Sequence, residues 1–204
     1  MIKKIIIICF ISSFISISSS CSEKVGLQPL ASNATVLAFG DSLTYGTGSS
    51  VNNAYPAVLE SLINRKVINA GVPGEISQQG LARLPRLIAQ YRPDLIIICH
   101  GGNDLLRKLD MKQTKENIQR MIDMARQNGS QVMLIGVPEF GLFLNASPIY
   151  QTLADHNKIP IENDILGDIL GNNSLKSDHI HPNAQGYQLF AEQIALLLQQ
   201  SGAL

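Results

Sequence analysis

The chain has no excess of either charge: 16 lysines and arginines stand against 16 aspartates and glutamates, with no basic cluster after the first few residues. Without a basic face there is no sequence-blind grip on a phosphate backbone, so nucleic acid is not an expected partner. Cysteine is scarce as well. There are three; Cys9 falls in an N-terminal apolar stretch and Cys21 just beyond it, which leaves Cys99 alone in the body and excludes an internal disulfide. The phosphate-cradling loops are also missing. No G-x-x-x-x-G-K run exists, and Gly46-Thr47-Gly48 lacks the third glycine of a dinucleotide-binding turn because Val51 stands in its place. Internal repeats and low-complexity tracts are absent apart from a serine-rich start.

What remains is ordinary globular material: 204 residues, 45% hydrophobic and 16% charged, enough for one domain with one core. Residues 1–20 read as an export signal, with Lys3 and Lys4 ahead of an apolar stretch from Ile5 to Ile17 that is short for a bilayer. Ser18-Ser19-Ser20-Cys21 then resembles the cleavage and lipid-attachment box of bacterial lipoproteins, with Ser18 where that box usually carries leucine. The resemblance implies lipidation of Cys21 and a membrane tether on an exported, periplasmic protein. Residues 21–33 contain Gly26, Pro29, Ser32 and Asn33 and read as a polar tether, leaving 34–204 as the folded domain.

Within that domain, short apolar runs at Thr35–Phe39, Val67-Ile68, Leu95–Cys99 and Val132–Val137 alternate with helical periodicity. Ile118, Met121, Ile122 and Ala125 line one face of a helix expected between an N-cap at Thr114 and a stop at Gly129. Leu81, Leu84, Leu87 and Ile88 line another, which Pro85 should kink or split. Tyr187, Phe190, Ile194, Leu197 and Leu198 form the stripe of a last helix starting at Ala184. This alternation predicts an α/β class fold, a three-layer α/β/α sandwich around a parallel sheet of about five strands. Ligands then gather at the carboxyl ends of the strands.

Chemistry-bearing residues cluster at those ends. Gly40-Asp41-Ser42-Leu43-Thr44 follows the first strand, Asn69-Ala70-Gly71-Val72-Pro73-Gly74 the second and Gly101-Gly102-Asn103-Asp104 the third, while Asp178-His179-Ile180-His181-Pro182-Asn183 precedes the last helix. Taken alone, Ser42 reads as a helix cap and each glycine cluster as a turn. Together they supply what an acyl carbonyl needs: a nucleophile, a base, a group that holds the base, and donors for an oxyanion. Ser42 suits the first role and His181 the second, with Asp178 three residues earlier able to hold the far imidazole nitrogen. Asp41 reads as a helix-start carboxylate and Asp104 as a loop support. Cys99, at the end of an apolar run, reads as a buried thiol.

GDSLT, NAGVPGE, GGND and DHIHPN, in this order and at these strand ends, resemble the four sequence blocks of the SGNH/GDSL hydrolases over nearly the whole mature chain. The resemblance is nearest to small bacterial periplasmic thioesterases, lysophospholipases and arylesterases. It implies a flavodoxin-like sheet, a carboxylic ester hydrolase acting on a small acyl-ester substrate without a cofactor, and the same triad of Ser42, Asp178 and His181. It further implies an oxyanion hole of the Ser42 and Gly71 backbone N–H groups and the Asn103 side chain. His100, Leu105, Leu106, Phe140, Leu142, Phe143 and Ile149 are the expected substrate wall, short of any apolar insertion long enough to form a lid.

Three other readings compete. A carbohydrate acetyl-esterase would share the whole catalytic set. A non-catalytic binding lipoprotein on the same scaffold would need only the fold. A metal hydrolase could use Asp178, His179 and His181, although no further ligand cluster completes such a site and no metal is expected.

Overall fold

The computed structural model describes residues 26–139, 141 and 144–204. The export signal, Cys21 and the wall residues Phe140, Leu142 and Phe143 lie outside them. Five strands form one parallel sheet: β1 (Thr35–Gly40), β2 (Lys66–Gly71), β3 (Leu95–Cys99), β4 (Gln131–Ile135) and β5 (Ile161–Glu162). Their order is β2-β1-β3-β4-β5. Among the described residues, eight α-helices connect and cover them: α1 (Ser42–Tyr45), α2 (Tyr55–Ile63), α3 (Ser77–Tyr91), α4 (Gly102–Leu106), α5 (Met111–Gln127), α6 (Pro148–Asn157), α7 (Ile165–Gly171) and α8 (Ala184–Gln200). Helix α2 packs with α8 and α3 with α5, giving the two outer layers of an α/β/α sandwich.

The strands are apolar along their length because both faces are covered. Val36–Phe39 and Leu95–Cys99 are fully buried, as parallel sheets under helices require. Tyr55 and Phe190 meet across the α2–α8 layer with ring centroids 4.6 Å apart, and the Tyr55 hydroxyl reaches Thr44 at 3.3 Å. Cys99 is buried at the end of β3, and burial pushes its thiol well above the usual range, as befits a packing residue. Because β2 lies on one side of β1 and β3 on the other, the chain's direction reverses at β1, and the carboxyl ends of β1 and β3 flank the switch-point crevice.

Several local expectations are corrected. Helix α5 starts at Met111, not Thr114: Asp110 is its cap, accepting the Lys112 N–H at 2.9 Å, while Thr114 is buried within the helix with its hydroxyl 3.2 Å from Asp104. Asp110 wins because its carboxylate precedes the first turn and reaches that orphan N–H. At the far end Asn128 closes the helix, and Gly129 follows at φ 83°. Pro85 does not split α3, which runs unbroken from Ser77 to Tyr91. Pro85 lies on the exposed face, where the lost backbone hydrogen bond is open to solvent, and the stripe of Leu81, Leu84, Leu87 and Ile88 still packs inward. The strand β5 was not foreseen as a named element, since two residues after Pro160 carry no periodicity.

Packed structure is also found upstream of residue 34. Leu27 and Leu30 belong to the core, and their N–H groups donate to the Ser201 and Ala203 carbonyls at 2.7 and 2.9 Å. Gln28 and Gln131 complete the join through a reciprocal pair of hydrogen bonds. The two leucines, three residues apart, are buried where residues 27–30 meet the segment after α8. Among the described residues no helix is long and apolar enough to cross a membrane.

Candidate active site

β1 delivers the chain into α1 through Gly40, where a side chain would collide with the Cys99 carbonyl and the Thr44 hydroxyl. Asp41 caps α1 by accepting the Leu43 N–H at 3.0 Å. The capping role that a serine after a strand would ordinarily fill is therefore taken by its neighbour, and the Ser42 hydroxyl is left for other work. It lies 2.9 Å from Nε2 of His181. On the far side of the ring, Nδ1 of His181 is 2.8 Å from Oδ2 of Asp178. An ionised carboxylate only accepts, so Nδ1 carries the hydrogen and the Nε2 lone pair faces the serine hydroxyl.

The loop that presents His181 is fixed at both ends. Oδ1 of Asp178 accepts the N–H groups of Ile180 and His181 at 2.8 and 2.9 Å. Ser177 donates its N–H to the His181 carbonyl, and Asn183 caps α8 by accepting the Gly186 N–H at 3.0 Å. Burial alone would raise the Asp178 carboxyl, but the His181 ring and these two N–H groups outweigh it and hold it below the ordinary carboxylate range. From the other side, Tyr187 donates to the Thr47 carbonyl at 2.9 Å, and Gly48 presses against Ser177 and Pro182 where a Cβ has no room. His179 is exposed on the same loop.

Gly71 and Asn103 flank the serine. Gly71 ends β2 against the backbone of Tyr45, so close that an added Cβ would sit 2.1 Å from the Tyr45 nitrogen. Its N–H donates to the Asn69 side chain at 3.0 Å. Asn103, in the first turn of α4, donates its side-chain amide to the Glu75 carbonyl at 3.0 Å and to Asp41 at 3.3 Å. Asp104 is buried beneath, accepting the Ser77 N–H and hydroxyl at 2.8 and 2.6 Å, and so ties the start of α3 to α4.

His100, expected on the substrate wall, is instead packed inside the domain. It is 0% exposed and presents no surface to solvent. Its ring is held between Oε2 of Glu75 and the Gly101 N–H, both at 3.0 Å. Leu105 and Ile149 are half-buried against the core, and Leu106 is 42% exposed. Sequence reasoning missed Glu75 and Arg83. Burial would raise the Glu75 carboxyl, but hydrogen bonds from His100 and Arg83 hold it below its ordinary range. The available signal was a glutamate in a strand-end loop with an arginine two helical turns into the next helix.

A separate depression of about 570 Å3, lined by Lys112, Lys115, Arg120 and His156 between α5 and α6, shares no residue with this site. No cluster of three or more histidine, cysteine, aspartate or glutamate side chains arranged to hold a metal occurs among the described residues.

The arrangement can transfer an acyl group, and comparison with known proteins points the same way. The family profile described as GDSL-like Lipase/Acylhydrolase family matches residues 38–189. Esterase TesA of Pseudomonas aeruginosa is 33% identical over 177 residues, covering 80% of this chain and 87% of that protein. Thioesterase 1/protease 1/lysophospholipase L1 of Escherichia coli K12 is 32% identical over 173 residues, covering 81% and 83%. A crystal structure of TesA superposes with a TM-score of 0.74 at 29% identity, over 82% of this chain and 99% of that one. The chain thus belongs to the GDSL-like lipase/acylhydrolase family, also known as the SGNH hydrolases, and is a carboxylic ester hydrolase of the serine type.

Proposed function

We propose that Ser42 is the nucleophile, His181 the general base and acid, and Asp178 the group that orients His181, in an exported enzyme that hydrolyses short- to medium-chain acyl esters and thioesters. The observation that carries this reading is the unbroken contact from Asp178 through His181 to Ser42, at 2.8 and 2.9 Å. Nε2 of His181 takes the Ser42 proton as Oγ attacks the acyl carbon, and Nδ1–H leans on the Asp178 carboxylate as the imidazolium forms. The same proton then goes to the departing alcohol or thiol. Water repeats the sequence on the acyl-enzyme.

The Ser42 and Gly71 N–H groups and the Asn103 amide receive the oxyanion. Two of these donors have resting partners: Asn69 for Gly71, Asp41 and the Glu75 carbonyl for Asn103. The longest of these, from Asn103 to Asp41, is the contact an oxyanion replaces at least cost. A thioester substrate is suggested by the name of the Escherichia coli relative. Leu105, Leu106 and Ile149 are the described side chains proposed to cover an acyl chain. Each methylene they cover contributes about 0.8 kcal/mol, so rates should climb over the first few carbons and then flatten.

The test is hydrolysis of phenyl acetate and of an acyl series, as oxygen esters and thioesters, by protein lacking residues 1–25. Ser42→Ala should abolish turnover with the fold intact. Near-natural turnover by that variant would overturn the mechanism, and activity confined to acetylated saccharides would redirect the substrate assignment. Anchoring rests on the serine-rich box before Cys21. Protein made with its own signal should partition into detergent, and an intact, unmodified Cys21 by mass spectrometry removes the anchor.

A further inference from the structure

Arg83 is the least expected charge in the molecule. It stands on α3, eight residues after Glu75, with its side chain only 17% exposed. Its Nε lies 2.7 and 2.9 Å from the two Glu75 carboxylate oxygens, its Nη2 donates to the Gly40 and Ala70 carbonyls at 3.1 and 2.8 Å, and its guanidinium carbon sits 4.3 Å from the centroid of the Phe39 ring. One planar fork thus holds the last residue of β1, the next-to-last of β2 and the loop leading into α3.

Each of those anchors adjoins an oxyanion donor. Gly40 is the residue from which Asp41 and Ser42 depart. The Ala70 carbonyl shares its rigid peptide plane with the Gly71 N–H, so fixing the oxygen fixes the direction of the hydrogen; a charged donor on the carbonyl also polarises the unit and strengthens the N–H. The backbone carbonyl of Glu75 accepts the Asn103 amide at 3.0 Å. The Glu75 side chain, gripped by Arg83, is gripped again by His100, whose other ring nitrogen accepts the Gly101 N–H two residues before Asn103. Because Gly101 donates to Nδ1, the His100 hydrogen is on Nε2 and points at Glu75.

We infer that Arg83 is a positioning residue for the oxyanion hole, setting the Gly71 peptide and the Asn103 amide relative to each other through two strand-end carbonyls and the Glu75–His100 pair. The inference rests on the oxyanion roles assigned to Gly71 and Asn103 above. Lysine cannot substitute, since a single ammonium does not offer parallel donors to a carboxylate and two separated carbonyls. Donors misplaced by an ångström cost about a hundredfold in rate while leaving substrate binding largely intact.

The experiment is a double-mutant cycle of Arg83→Lys and Asn103→Ala, measuring kcat and KM on phenyl acetate, with active molecules counted by a phosphonate ester titrant and folding followed by circular dichroism. Arg83→Lys should lower kcat roughly 10- to 100-fold with KM within about twofold. In the Asn103→Ala background the same substitution should cost only about threefold, because one of the donors it aims is gone. Should Arg83→Lys not fold, Glu75→Gln carries the same cycle, with a smaller loss and the same coupling. A loss of equal size in both backgrounds, a change confined to KM, or undiminished kcat overturns the inference while a slow Asn103→Ala leaves the oxyanion assignment standing. Undiminished kcat in Asn103→Ala overturns that assignment and the inference with it.

Discussion

At Ser42 the decisive neighbour is Asp41. By capping α1 itself, Asp41 leaves the serine hydroxyl without a structural duty, and the hydroxyl is met instead by His181 at 2.9 Å. Asp178 then does two jobs with two oxygens, one on the imidazole and one on the backbone of the loop. Asp178→Asn should therefore lower kcat by roughly 10²- to 10⁴-fold, since a carboxamide can present its N–H to Nδ1 and select the wrong tautomer. Steady-state kinetics on phenyl acetate checks it; a loss under tenfold would mean that Asp178 serves the loop alone. His179→Ala, at an exposed position, should leave kcat within about threefold. The sequence made these residues legible because serine, aspartate and histidine sit in short local patterns. Glu75 and Arg83 were harder to read, because beyond their own pairing their partners are two strand-end carbonyls and a histidine, and no spacing encodes a carbonyl. A stability signature follows from Glu75. Its carboxyl is held below its unfolded value, so its stabilising contribution is fully present above the ordinary carboxylate range near pH 4.5 and is lost as pH falls through the lower folded value. The stability gap between natural protein and Glu75→Gln, measured by urea unfolding, should thus be widest near neutrality and narrow as the pH falls below about 4.5. A gap that widens in acid would contradict the assignment.

At the scale of elements, glycine explains how α3 and β3 come close enough to build that network. A Cβ at Gly80 would lie 2.3 Å from Nε2 of His100, so the helix accepts a poor helix former to seat the imidazole. Alanine in a helix interior is otherwise favoured over glycine by about 1 kcal/mol. The two effects separate in a cycle: Gly80→Ala should lower the midpoint of thermal unfolding in the natural background and raise it by roughly 2–4 °C once His100→Ala has removed the ring. An equal shift in both backgrounds would show that His100 does not set the residue at position 80. The apolar periodicities announced α3, α5 and α8, whereas their ends were set by choices that periodicity does not contain. Asp110 displaced Thr114 as the cap of α5, and Pro85 stayed inside α3 because its ring faces water. The two-residue strand β5 owes its place to pairing with Leu134 and Ile135 and has no local pattern to reveal it.

For the molecule as a whole, the sheet separates stability from chemistry. Ser42, Gly71 and Asn103 gather at the carboxyl ends of the strands. The opposite end is closed by Leu27 and Leu30 against the Ser201–Ala203 segment, by Gln28 against Gln131, and by Asp94, whose carboxylate takes the Thr35 N–H at 2.7 Å. Strand β1 has six residues, and at about 3.3 Å per residue it sets the two ends roughly 20 Å apart. The clasp joins residues 27–30 and 201–203 to the start of the sheet, and burying two leucine side chains is worth at most roughly 3–6 kcal/mol. Domains of this kind have only about 5–15 kcal/mol of net stability, so losing the clasp should weaken the fold severely without reaching the catalytic loops. Protein beginning at Asn33 should unfold at a markedly lower urea concentration than protein beginning at Gly26. Its turnover per phosphonate-titrated active site, measured well below that midpoint, should stay within about twofold, because the clasp and Ser42 lie at opposite ends of β1. Equal urea midpoints would return residues 27–30 to the role of a tether, and a fall in turnover per active site would show that the two ends of the sheet are coupled.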